Sequence, residues 1–254
     1  CAIAHRGWDM SEPALIAVAH GSADPRAEQV LDALIARVRS ERPGVVAVLA
    51  HLGFSDPDVS AALESLARQG VREVVVVPLL LTAAYHAKID LPALLLRAAH
   101  DHPQLAMRQA EVLGPHRLLF ELVRRRLAEA GVEPGASLVL AAAGTSDPGA
   151  NAELADVAAS LGATIGFASG WPAITDVVAG LRARGARQVA LATYVLAPGE
   201  LADRLHDAGA DVVTEVLGAA PEIVDVVLAR YDAALAAGSA SGLAATGAAS
   251  GVIN

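Results

Sequence analysis

VVVVPLLLTAAYHAKIDLP, residues 74–92, decides the fold. Four valines, a proline and three leucines form an apolar run too short to cross a membrane and too uniformly apolar to leave one face in water. A strand buried on both faces has this composition, because helices cover both sides of a parallel sheet. Open α/β sheets bind ligands beyond the carboxyl ends of their strands, and His86 follows this strand end within a few residues.

Working outward, the same alternation recurs. The apolar run 15–19 ends at His20-Gly21-Ser22, and Asp24-Pro25 introduces a helix expected over 27–38, with Val30, Leu31, Leu34, Ile35 and Val38 as one stripe. Pro43-Gly44 ends that helix, and a strand over 45–49 is followed by His51. Asp56-Pro57 is expected to open the next helix, with Val59, Ala62, Leu63 and Leu66 inward and Gly70 as its stop. Beyond residue 90 the pattern predicts a helix over 91–99, an edge strand over 105–113 interrupted by Arg108 and Gln109, the corner Gly114-Pro115-His116, and a helix over 118–130. This βαβαβαβα order predicts a doubly wound parallel sheet.

The second half repeats the first in degraded form. Residues 57–70 (PDVSAALESLARQG) align with 172–185 (PAITDVVAGLRARG), and Arg72 with Arg187, at an offset of 115. His20-Gly21-Ser22-Ala23-Asp24-Pro25 aligns with Ala143-Gly144-Thr145-Ser146-Asp147-Pro148, and Leu113-Gly114 with Leu217-Gly218. The expected architecture is therefore α/β: two similar doubly wound parallel-sheet domains, related by internal duplication, with a cleft between them. The N-terminal domain is placed at 11–130, the degenerate repeat at 136–237 after the linker 131–135, and a flexible Gly/Ala/Ser-rich tail at 238–254.

Composition narrows the function. An apolar content of 54% supplies two cores, while a net charge of −9 with only 19% charged residues argues against a nucleic-acid surface. No apolar run is long enough for a membrane span, and the first ten residues lack a signal peptide's apolar core. Met10-Ser11 reads as a natural start, with residues 1–9, including His5, as upstream sequence. A single cysteine, Cys1, excludes an internal disulfide framework and fits a reducing cytoplasm. A monomer and a homodimer are both compatible, since a cleft and a dimer patch are both apolar.

Four histidines of the first half, His20, His51, His86 and His116, each fall at the expected carboxyl end of a different strand. The second half has Ala143, Leu201 and Ala220 at the places of His20, His86 and His116, no histidine after its second strand, and its only histidine, His206, lies elsewhere. One half thus carries chemistry and the other completes a cleft. Neutral imidazole binds zinc, iron, cobalt and nickel, and rings on adjacent strand ends converge on one ion. A lone loop histidine is ordinarily a solvated or hydrogen-bonded side chain; His20 and His86 stand out because each follows a near-pure apolar strand. Ser22 beside a histidine lacks the GxSxG elbow, and neither glycine pair belongs to a nucleotide-binding motif. Asp24 reads as a helix cap, retained as Asp147 in the half without these histidines.

AHGSADPRAE (19–28), FSDPDVSAAL (54–63), the central run and LGPH (113–116) together resemble the class II tetrapyrrole chelatases, in particular the two-domain sirohydrochlorin chelatases, over about residues 15–235. The resemblance implies an enzyme that inserts Fe²⁺, for siroheme, or Co²⁺, for cobalamin, into sirohydrochlorin, with no ATP and no permanently bound cofactor. It also implies that His20 and His86 bind the incoming metal, with His51 and His116 as additional metal or substrate contacts. Ser22, Arg26 and Lys88 would meet the substrate's carboxylates. The partners implied are the tetrapyrrole and the metal ion, with no nucleic acid and no membrane; a non-catalytic tetrapyrrole or metal carrier is the alternative. The chain departs from the family at Gly53, where many relatives place a glutamate, leaving His51 to compensate or the two histidines to suffice. It departs again at Ala83-Ala84, where Pro-Gly is usual and which survives here as Pro198-Gly199.

Overall fold

The valines at 74–77 lie in the middle of a four-stranded parallel sheet in the computed structural model, which describes residues 12–246. Cys1, His5 and the expected start at Met10-Ser11 lie outside the described residues. The first half runs β1 (Ala14–Ala19), α1 (Pro25–Glu41), β2 (Ala47–His51), α2 (Val59–Arg68), β3 (Glu73–Pro78), α3 (Leu91–Asp101), β4 (Ala106–Gln109) and α4 (Arg117–Glu129). The second runs β5 (Ser137–Ala142), α5 (Pro148–Ser160), β6 (Thr164–Phe167), α6 (Ile174–Ala183), β7 (Val189–Tyr194), α7 (Glu200–His206), β8 (Val212–Val213) and α8 (Pro221–Thr246). Strand orders are β2-β1-β3-β4 and β6-β5-β7-β8, all pairs parallel, so both halves have one topology.

Alternation along the strands feeds two cores. Ile16, Val18, Val74 and Val76 pack with Leu63, Leu66 and Leu91 of α2 and α3. Leu15, Ala17, Val75 and Val77 face the other way, into a core that continues through Leu140, Ala192, Tyr194 and Tyr231 of the second half. Val75, Val76 and Val77 are each 0% exposed, and burying a valine side chain fully stabilises by roughly 1.5–3 kcal/mol.

Helices are exchanged across that shared core. α4, which follows β4 in the chain, packs on β7, and α8 returns to pack on β3, β4 and α1. Ion pairs Arg42–Asp232, Arg125–Glu222 and Arg230–Glu111 join the halves around α8, and the Tyr231 hydroxyl donates to the Pro13 carbonyl at 2.6 Å.

Several local expectations change. Asp56-Pro57 does not open a helix: its peptide bond is cis, and α2 begins at Val59 with the Asp58 side chain accepting from Ala61 N–H. The edge strand is four residues, Ala106–Gln109, shorter than expected. The tail expected from 238 begins inside α8, which runs to Thr246; residues 247–254 lie outside the described residues.

Candidate active site

Each four-stranded order reverses direction between its first and third strands in sequence. In the first half this switch point lies between β1 and β3, where an open sheet leaves a crevice at its carboxyl edge. His20 leaves β1 and His86 lies beyond β3, so topology selects these two of the four histidines. Their ring centroids are 4.6 Å apart, with planes inclined at 44°.

His20 is held by its backbone. Its carbonyl accepts from Gly53 N–H at 3.1 Å, and Leu52 N–H donates to the Ala19 carbonyl at 3.0 Å, so the chain leaving β2 continues the ladder beside His20. Ser55 locks the two loops together, its hydroxyl donating to the Ser22 carbonyl and accepting from Ser22 N–H. Gly21 is obligatory there. Its φ is +93°, and a Cβ on it would lie 1.6 Å from the Gly53 carbonyl oxygen. Gly21→Ala therefore combines left-handed strain with overpacking against backbone, about 2–3 kcal/mol together. Thermal unfolding should show a Tm lower by roughly 5–10 °C for a chain of this size, with loss of the geometry around His20.

His86 opens a π-helical turn, His86–Asp90, that runs into α3, rather than lying in a loop as expected. Single π turns recur at functional sites because they re-aim side chains. Here the turn brings Asp90 Oδ2 to 2.7 Å from His86 Nδ1. A carboxylate on Nδ1 fixes the ring and leaves Nε2 for a ligand. The pKa of His20 lies below its ordinary value, chiefly because burial disfavours the cation, then because His86 is near, with Asp90 opposing. The neutral His20 ring, which has a free lone pair, is thereby favoured.

The other expected site residues are placed differently. His51 ends β2 with its side chain wholly buried, its Nε2 3.2 Å from Glu28 Oε2 of α1; it is not among the residues lining the cleft. The outer position of β2 in the sheet is the reason. His116 is the N-cap of α4, its Nδ1 accepting from Leu118 N–H, and burial followed by Arg230 and Arg117 lowers its pKa. It too lies outside the cavity lining. The Ser22 hydroxyl accepts from Asp24 N–H, a local turn bond.

Arg26 and Lys88 are not free cations. Arg26 pairs with Asp24 and, across the halves, with Asp203 at 2.6 Å; Lys88 reaches Asp147 of the second half at 2.8 Å. Asp147 also caps α5, and its hydrogen bond from Lys88, ahead of those from Ala150 and Gly149, holds its carboxyl below the usual range.

Between the halves lies a cavity of about 560 Å³. Its first-half wall is His20, His86, Tyr85 and Leu79 to Thr82; its second-half wall is Ala142 to Ser146, Tyr194 to Leu196 and Leu201. Ala143 and Leu201 lie in this wall, at the second-half places of His20 and His86, so the degenerate half supplies apolar surface opposite the imidazoles. Among the described residues, no group of three or more His, Cys, Asp or Glu side chains could hold a metal ion. Asp90, Tyr85, Phe54 and Tyr194 escaped the sequence reading. Only Asp90 carried a signal there, its i,i+4 spacing from His86.

A family model described as CbiX matches residues 14–130, the segment that carries both histidines. Among curated relatives of this chain is the sirohydrochlorin ferrochelatase of Bacillus subtilis, 29% identical over 146 residues, 57% of this chain and 56% of that protein. Another is the sirohydrochlorin cobaltochelatase of Priestia megaterium, 28% identical over 205 residues, 75% of this chain and 66% of that protein. The chain thus spans between about half and two thirds of the length of these relatives. The solved structure of SirB from Bacillus subtilis with Fe³⁺ shares the fold: TM-score 0.76 and 24% identity, covering 87% of this chain and 94% of that one.

Proposed function

We propose that this chain is a member of the CbiX family and a sirohydrochlorin chelatase that inserts Fe²⁺ or Co²⁺ into the tetrapyrrole without ATP and without a resident cofactor. The observation that carries the reading is the His20–His86 pair facing an apolar cleft wall. Its relatives bear the names sirohydrochlorin ferrochelatase and cobaltochelatase. With metal–nitrogen bonds of about 2.1 Å, centroids at the observed spacing subtend roughly 90° at a shared ion. Two cis ligands leave most of the coordination sphere open to pyrrole nitrogens. With no third protein ligand the ion is held loosely enough to leave.

Insertion exchanges two inner pyrrole N–H protons for one divalent ion, so the site must accept protons as it releases metal. His20 and His86, once free of the ion, are bases at the right place. Asp90 holds the His86 ring in one orientation through the cycle. Arg26 and Lys88 receive substrate carboxylates by exchanging Asp203 and Asp147 for them, and the Ser22 turn presents His20. No helix among the described residues is long and apolar enough to cross a membrane; with one cysteine and a readily oxidised Fe²⁺ substrate, we place the protein in the cytoplasm.

Anaerobic absorbance of the protein with excess sirohydrochlorin and Co²⁺ or Fe²⁺ tests the reading. Many turnovers above background are expected; at most one metallated product per chain would identify a carrier, and no acceleration with either ion would overturn the insertion reading. Gly53 offers a second test. A Cβ there would meet nothing within 4 Å, so Gly53→Glu should fold normally and add a carboxylate beside the His20 loop. Isothermal titration with Co²⁺ should show tighter binding, by several-fold, with slower turnover as the ion is retained.

A further inference from the structure

Aromatic residues are scarce in this chain, at 3%, yet two exposed rings stand against the two histidines. The Phe54 centroid lies 5.9 Å from that of His20 at 65°, and the Tyr85 centroid 6.1 Å from that of His86 at 81°. With the histidine pair, the contacts run Phe54, His20, His86, Tyr85, each outer ring nearly edge-on to its imidazole. Phe54 is 78% exposed and Tyr85 57%.

Exposure of this kind has a cost, and at Phe54 the backbone adds to it. Phe54 is the one non-glycine among the described residues with positive φ, at 63°. A bulky residue in that region persists only where its surroundings hold it. Gly53 N–H on the His20 carbonyl, Ser55 N–H on the Gly53 carbonyl and the Ser22–Ser55 bonds do so on both sides. The loop thus accepts strain to keep a phenyl ring in water beside a candidate metal ligand.

Cavity size explains what would cover it. Pockets of a few hundred Å³ enclose most of a drug-sized ligand. Sirohydrochlorin, with four pyrrole-derived rings and eight carboxylate arms, is larger than such ligands, and the cavity here is about 560 Å³. Part of the macrocycle must extend past the mouth, where Tyr85 lines the wall and Phe54 stands outside it.

We propose that Phe54 and Tyr85 are substrate-positioning residues, aromatic walls that contact the tetrapyrrole on either side of the histidine pair and register its centre over the metal. The inference rests on the insertion reading above. It assigns recognition of the flat macrocycle to the rings, ion binding to the imidazoles and carboxylate recognition to the charged rim.

Phe54→Gly and Tyr85→Ala separate these roles. Phe54→Gly removes the ring and relieves the positive φ, so its Tm should equal or exceed that of wild type; Tyr85→Ala changes an exposed side chain. Binding of metal-free sirohydrochlorin, followed by absorbance, should weaken on the order of 10-fold in each variant, with KM rising in parallel. Binding of Co²⁺ alone, by anaerobic calorimetry, should stay within about twofold. Unchanged sirohydrochlorin affinity in both variants, beside an active wild type, would overturn the proposal. So would an equal loss of Co²⁺ affinity, which would make the rings mere supports for the histidines. Wild-type protein that binds no sirohydrochlorin would overturn the insertion reading, and this one with it.

Discussion

On the proposed insertion reading, alanine at His20 or at His86 should lower kcat/KM for metal insertion by at least about 100-fold, and the double variant should be little worse than either alone. Each ring supplies one of only two candidate ligands, because no third metal-binding side chain completes a cluster among the described residues. Removing one leaves a single imidazole, which neither holds an ion against solvent nor fixes its position over the macrocycle. It also removes a base placed to take a pyrrole proton, a role worth roughly 10²–10⁴-fold in comparable sites. Groups that act as a unit lose most of their effect with the first deletion, hence the small further cost of the second. Co²⁺ binding should fail in both single variants while metal-free sirohydrochlorin still binds. Normal Co²⁺ affinity in either would refute the ligand assignment.

Asp90 extends the same argument. It is 2.7 Å from His86 Nδ1 and contacts the site through that ring. Asp90→Asn keeps the side chain's shape and an acceptor oxygen but loses the charge. Loss of such a partner ordinarily costs 10- to 100-fold in metal affinity or activity. The expected loss is therefore smaller than for His86→Ala and confined to the metal: Co²⁺ Kd rises, while KM for the tetrapyrrole stays put. A structural role alone would instead lower Tm and leave the Co²⁺ titration unchanged.

The candidate site was legible where local pattern decides structure and illegible where strand order does. Apolar runs ending at His20 and near His86 marked both as strand-end residues, and the duplication showed which half had lost them. The same reasoning marked His51 and His116 as strand-end residues too, though less strongly. What separates the pairs is that β1 and β3 flank the switch point while β2 and β4 lie outside them, and hydrophobic periodicity carries no strand order. Arg26 and Lys88 looked available because their partners, Asp203 and Asp147, lie 177 and 59 residues away. The Phe54 conformation is equally non-local: nothing in LGFSDP announces a positive φ, which follows from hydrogen bonds to the His20 loop. Helix periodicity placed Leu31, Leu34, Ile35 and Val38 of the α1 stripe correctly, while Val30 is only half-buried, but a stripe does not say which sheet it covers, so the exchange of α4 and α8 was invisible.

That exchange makes Tyr231 the residue whose loss should most destabilise the fold. It sits on α8, in the second half of the chain, but is 0% exposed within the shared core, and its hydroxyl donates to the Pro13 carbonyl just before β1. The Arg42 guanidinium lies 5.9 Å from its ring centroid, while Arg42 itself pairs with Asp232. Burial, with Glu12 nearby, pushes the phenol up to about 12, so the donor stays protonated across the physiological range. Tyr231→Ala removes a large ring from a packed interior, at about 3–5 kcal/mol, a Tm drop of roughly 10 °C or more. Tyr231→Phe keeps the ring and loses only the hydrogen bond, at about 1 kcal/mol. The location of the damage is the sharper test. If α8 belongs to the core of the first sheet, amide exchange in Tyr231→Ala should quicken in β1 and β3, more than 150 residues away in sequence. Exchange that quickened only in β5 to β8 would mean that each half is stabilised by its own helices, against the observed packing.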